Sequence, residues 1–177
     1  MDPRLSTLPL SKNASDHQSY LNAIAAQLED ENSFFREAAV IALGKQPTLP
    51  SHILQGVATQ LEDKEGAIRK STLKVLDKQP NPPDSILRAV AGRIEDEFKF
   101  IRASTITALC KQPALPDDIL KTLAALLGDK HSFAQAADIE ILSKQPVFPN
   151  EIVEAVAAKL DDKDDFIHAA VVEKLGK

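Results

Sequence analysis

The chain has 177 residues, 44% of them hydrophobic but only 5% aromatic, with no Trp and a net charge of -5. That is enough for one continuous core built from Leu, Ile, Val and Ala, and too acidic for a general affinity for nucleic-acid phosphates, which needs clustered Lys and Arg. The single Cys110 excludes a disulfide framework and a cysteine zinc cluster, and no apolar run spans a membrane; the expectation is a cytoplasmic or nuclear protein without cofactor or metal.

In chain order, residues 1–15 read as a degenerate N-terminal cap. Leu10, Ser11 and Lys12 stand 33 residues before Leu43, Gly44 and Lys45, and Pro9 falls where Ala42 sits. The first unit, 16–48, holds a helix ending near Leu28. Asp30 marks its turn, and a second helix from about Ser33 to Gly44 places Phe35, Ala38, Ala39, Ala42 and Leu43 inward. The second unit, 49–81, opens with Ile53, Leu54, Val57, Ala58 and Leu61 on one apolar stripe, and the third, 82–114, repeats it as Ile86, Leu87, Val90, Ala91 and Ile94. Its second helix turns Ile101, Ser104, Thr105, Ala108 and Leu109 inward. Units 115–147 and 148–177 follow the same plan. An acidic end carries Asp161, Asp162, Asp164 and Asp165 and is expected to be a solvated terminal cap.

The tripeptide Lys-Gln-Pro measures the period. It begins at Lys45, Lys78, Lys111 and Lys144, each 33 residues after the last. A cation there complements the negative end of the second helix, and the proline stops the chain from continuing as helix. Ser51, Asp84, Asp117 and Asn150 are candidate caps for the helices that follow, and the glutamines are placed to bridge neighbouring connectors. Neither helix of a unit buries its stripe alone, so the five units must stack into an all-α solenoid.

The ankyrin and tetratricopeptide signatures, which share this period, are missing. What is present resembles the HEAT-type repeat: an Asp in the inter-helix turn, then an apolar residue followed by Arg, an Ala pair, and Leu near the helix end. Here that reads Asp30, Phe35-Arg36, Ala38-Ala39 and Leu43; Asp63, Ile68-Arg69 and Leu76; Asp96, Ile101-Arg102 and Leu109. The units are shorter than usual and look most like the "LGKQ...LP" arrays of multidomain fungal proteins. The resemblance implies a right-handed superhelix of five two-helix repeats, its second helices lining a concave, protein-binding side. It also implies that Asp30, Asp63, Asp96, Asp129 and Asp162, with Arg36, Arg69 and Arg102, form a ladder of staples between repeats rather than catalytic acids.

Three departures from the repeat are candidates for function. The fourth unit has Gln135 in place of Arg and Asp138 where its siblings carry Ala39, Thr72, Thr105 and Val171; an inward carboxylate needs a partner or a raised pKa. Phe34, Phe100, Phe133 and Phe166 share one boundary column, interrupted by Ala67, where stacked helices would bring rings of successive units together. On the presumed concave face, Glu37 and Ile41 give way to Lys70 and Lys74, Ala103 and Thr107, Ala136 and Glu140, then Ala169 and Glu173. The four histidines form no metal-binding pattern, and no catalytic motif occurs. These features favour a non-enzymatic scaffold within a larger signalling protein. It would bind a peptide or helix through Phe34, Phe100, Phe133, Phe166, Lys70, Lys74 and Glu140. The rival is a small-molecule or catalytic site around Asp138. Neither nucleic acid nor membrane is expected as a partner; the expected state is a monomer, with end-to-end association as its alternative.

Overall fold

The computed structural model describes residues 10–126 together with 141, 145 and 154. Seven α-helices make up the first of these segments: α1 (Leu10–Ala25), α2 (Ser33–Leu43), α3 (Ser51–Thr59), α4 (Gly66–Leu76), α5 (Asp84–Ala91), α6 (Lys99–Cys110) and α7 (Asp117–Leu126). Short 3-10 turns, Ala26–Glu29 and Gln60–Glu62, extend α1 and α3. The described residues contain no strand.

The helices form two layers. First helices stack on one another, α1 on α3 and α3 on α5, while second helices stack as α2 on α4 and α4 on α6. This is an α-solenoid, and one hydrophobic core runs along it from Leu21 through Leu43, Leu61, Ile68, Ile86 and Leu109 to Leu123. The stripes of the second and third units are buried throughout: Ile53, Leu54, Val57, Ala58 and Leu61, then Ile86, Leu87, Val90, Ala91 and Ile94. α1 begins at Leu10, so residues 10–15 belong to the same helix as the start of the first unit.

The helix starts depart from expectation in one respect. Pro50 and Pro83, rather than Ser51 and Asp84, hold the cap positions of α3 and α5, with no side-chain capping bond. Their carbonyls accept from the Leu54 and Leu87 N–H groups, and proline itself leaves no amide to satisfy there. Ser51 and Asp84 become first-turn residues. Gly44 closes α2 where that helix crosses α4: a Cβ at this position would lie 2.5 Å from Val75 Cγ2.

The inward set assigned to α2 is corrected. Ala39, Val40 and Leu43 are buried, but Phe35 and Ala38 are exposed. The residues at the Phe35 position in the next units, Ile68 and Ile101, are buried because α2 and α4 pack alongside their helices. Among the described residues no second helix covers α2 on its other side.

Candidate partner-binding face

The turn between the paired helices fixes the polar skeleton. Asp30 Oδ1 accepts the Asn32 N–H at 2.8 Å, Asp63 Oδ1 the Glu65 N–H at 2.9 Å, and Asp96 Oδ1 the Phe98 N–H at 3.0 Å. Each aspartate thereby sets the approach to a second helix. Arg36 then reaches forward one unit, donating Nε to Asp63 Oδ2 at 2.6 Å and Nη2 to Oδ1 at 3.1 Å. Arg69 repeats this on Asp96 at 2.8 and 3.0 Å and adds Glu97 at 3.0 Å. The remaining Nη1 of each arginine donates backwards to its own turn: Arg36 to the Asp30 and Glu31 carbonyls, Arg69 to those of Asp63 and Lys64, and Arg102 to those of Asp96 and Glu97. One guanidinium thus clamps two turns in a bidentate geometry that an ammonium cannot match.

Burial works against the charges of Asp63 and Asp96, but the arginine bonds and the backbone N–H bonds outweigh it and hold both carboxyls below their usual range. The same carboxylate bonds raise the Arg36 and Arg69 guanidinium pKa values. These groups are committed to joining repeats. Ladder members Asp129 and Asp162 lie outside the described residues.

With the ladder and core subtracted, one face of the second helices remains. It carries Phe34 and Ile41 on α2, 69% and 50% exposed, Lys70 and Lys74 on α4, and Phe100, Ala103 and Thr107 on α6. The rings do not form the expected row. Phe34 packs edge-on against Phe35 of its own helix at 5.8 Å, while Phe100 stacks on Phe98 at 5.3 Å. Ala67 supplies no ring between them, and Lys70 comes in instead, its Nζ 5.0 Å from the centre of the Phe100 ring. Beside this pair, Leu73, Lys74, Asp77, Ala103, Ser104 and Thr107 line a shallow depression of about 260 Å³ between α4 and α6. The Ser104 and Thr107 hydroxyls donate to carbonyls of their own helix, and Asp77 Oδ2 receives Lys111 Nζ at 2.6 Å. Among the described residues, Lys74 is the cation left facing this depression.

Phe98 was not singled out by sequence reasoning. It stands at the N-cap position of α6, which Asn32 and Glu65 occupy at α2 and α4, and an aromatic at a cap position was the available signal. Its ring lies beneath the Arg69 guanidinium, 5.4 Å away, and against Gly66, where a Cβ would meet the ring at 2.8 Å. It anchors both the ladder and Phe100.

Phe133, Phe166, Glu140, Gln135 and Asp138 lie outside the described residues. The three described members of the Asp138 column, Ala39, Thr72 and Thr105, are all buried. Among the described residues no group of His, Cys, Asp and Glu is arranged to hold a metal ion, and no helix is long and apolar enough to cross a membrane.

The fold is an α-solenoid of stacked two-helix units. No protein-family model matches the sequence, and no curated protein does. Solved structures do. An archaeal HEAT-like repeats protein from Thermococcus onnurineus NA1 matches with a TM-score of 0.62 at 15% identity, over 93% of this chain and 72% of that one. A designed armadillo repeat protein in complex with the peptide (KR)4 matches with a TM-score of 0.58 at 11% identity, over 93% and 84%. An engineered protein gives 0.56 at 15% identity, over 93% and 81%. At such identities the likeness concerns the fold alone; the archaeal and the armadillo neighbours are named as repeat proteins.

Proposed function

We propose that the chain is a non-enzymatic binding scaffold that takes a peptide or a helix of another protein across its second-helix face, as a segment of a larger signalling protein. One observation carries this reading: Phe34, Ile41, Lys70, Lys74 and Phe100 share a face and are not needed to close the core or join the repeats, whose apolar and ionic contacts are made elsewhere. Exposed aromatics edged by lysines are the composition of a binding surface. Phe133, Phe166 and Glu140 would continue that surface along the array. The (KR)4 peptide of the designed armadillo neighbour supports a stack of this type holding a peptide, although the lysines here favour a partner with carboxylates. We place the chain in a reducing compartment, as a monomer.

The test is a Phe34→Ser, Phe100→Ser double variant, compared with wild type by crosslinking and mass spectrometry in the source cells. Helicity and Tm should hold while the crosslinked partner is lost. Retention of the same partner at the same yield sinks the proposed face.

A further inference from the structure

Among the described residues, the outer face of the first unit differs from the interior junctions at the same repeat positions. Tyr20 of α1 is 59% exposed, while Ile53, Ile86 and Ile119, one, two and three units later, are 1%, 1% and 3% exposed. Phe35 of α2 is 48% exposed, while Ile68 and Ile101 are 1% and 0% exposed. Ile24 and Ala42 are half-buried, although Val57, Val90 and Leu123, and Val75 and Ala108, are buried. The polar half of the junction is open too. Asp63 and Asp96 each receive a guanidinium from the preceding unit, whereas the Asp30 carboxylate accepts the Asn32 N–H and forms no ion pair among the described residues.

These residues are spread over both helices, so they do not form a generic sticky patch. They reproduce, side by side, the apolar and ionic halves of an interface that the molecule already closes twice, α2 on α4 and α4 on α6. A continuous interface of known composition specifies its occupant.

We infer that the first unit's outer face is a docking site for a further helical repeat of this same type. The incoming repeat has a first helix that covers Tyr20 and Ile24. Its second helix covers Phe35 and Ala42 and presents an arginine to Asp30 in the bidentate geometry that Arg36 uses on Asp63. This surface adjoins the second-helix face where Phe35 packs against Phe34, but the inference does not depend on that face binding a peptide.

The chain supplies its own probe. Residues 49–81 form a complete unit carrying Arg69, and the connector residues of such a copy plus residues 1–9 can span about 45 Å, enough to reach α1. The experiment places a copy of residues 49–81 ahead of Met1 of the full chain. Tyr20 is the sole tyrosine, and the protein has no Trp, so iodide quenching of tyrosine fluorescence reports this face alone. The expected result is a severalfold fall in quenching, a gain in helical ellipticity, and a Tm rise of about 5 °C. Asp30→Asn, which keeps a side-chain oxygen for Asn32, should remove at least half of that rise in the extended chain while hardly moving the original chain.

Unchanged quenching in the extended chain overturns the inference, as does a Tm rise that ignores Asp30→Asn. Two controls identify other occupants, and either positive result also overturns it. Deleting residues 1–9 from the original chain would increase Tyr20 quenching if that segment covers the face. A rise in sedimentation mass with concentration, accompanied by Tyr20 protection, would assign the face to a second copy.

Discussion

The two edges of the stack are built from equally regular residue columns, yet they behave differently. Along the turn edge, the Arg36–Asp63 and Arg69–Asp96 clamps have the same geometry. Along the connector edge, Gln79 Oε1 accepts the Leu49 N–H at 2.8 Å, and Gln145 Oε1 accepts the Leu115 N–H at 2.8 Å. Gln112 should do likewise at position 82, but Pro82 has no N–H; its side-chain amide donates instead to the Ala108 carbonyl of its own helix. At the same junction the connector turns through Asn81 at φ 47°, and Lys111 reaches back to Asp77. A repeated residue thus offers a bond, and the residue one unit away decides whether that bond forms.

The largest effect expected from this contrast is at Arg69. Its side chain and that of Asp96 are 6% and 2% exposed, so Arg69→Met leaves a buried carboxylate without its guanidinium, keeping only the Phe98 N–H as a bonded donor, and should cost about 3–5 kcal/mol in urea denaturation. A loss no larger than that of an exposed ion pair would remove the turn edge as the main clamp. Because the Asp63 and Asp96 carboxyls are held below their ordinary range, their contribution is complete above the unfolded aspartate pKa of about 3.9. It is lost as pH falls through their lower folded values. Ellipticity followed through an acid titration should show that loss, and Arg69→Met should flatten it.

Next in size is the connector edge itself. Gln79→Ala strands the buried Leu49 amide and should cost about 2 kcal/mol, while Gln112→Ala should stay within about 0.5 kcal/mol. Equal losses would break the comparison. Gly44→Ala tests the packing between the edges. Its methyl group meets Val75, which should cost about 1–2 kcal/mol, and Val75→Ala should relieve part of that in a double-mutant cycle. The smallest effect is a gain. Pro82→Leu restores an N–H opposite Gln112 and should stabilise by about 1 kcal/mol, less what the chain loses in unfolded-state rigidity, and the gain should vanish in the Gln112→Ala background.

Much of this architecture was legible in the residues. The period carried by Lys45, Lys78 and Lys111 gave the unit length, and the stripes such as Ile53 to Leu61 gave the buried faces, because helix periodicity is a local property. The Asp and Arg columns were legible as a ladder between neighbouring repeats, while the individual pairs, Arg36 with Asp63 and Arg69 with Asp96, came from the structure. The candidate face was half legible. Phe34, Phe100, Lys70 and Lys74 could be named from their columns, but the contact between Lys70 and Phe100 depends on helix spacing, and Phe98 was hidden at a cap position.

By itself, then, the sequence determined the helices, their inward stripes and the stacking of like units, since each follows from spacing along one chain. Only the tertiary structure decided which equivalent residues are equivalent in fact. Phe35 is exposed where Ile68 is buried, and Gln112 turns to its own helix where Gln79 bridges, because burial and pairing depend on what the neighbouring unit presents at that point in space.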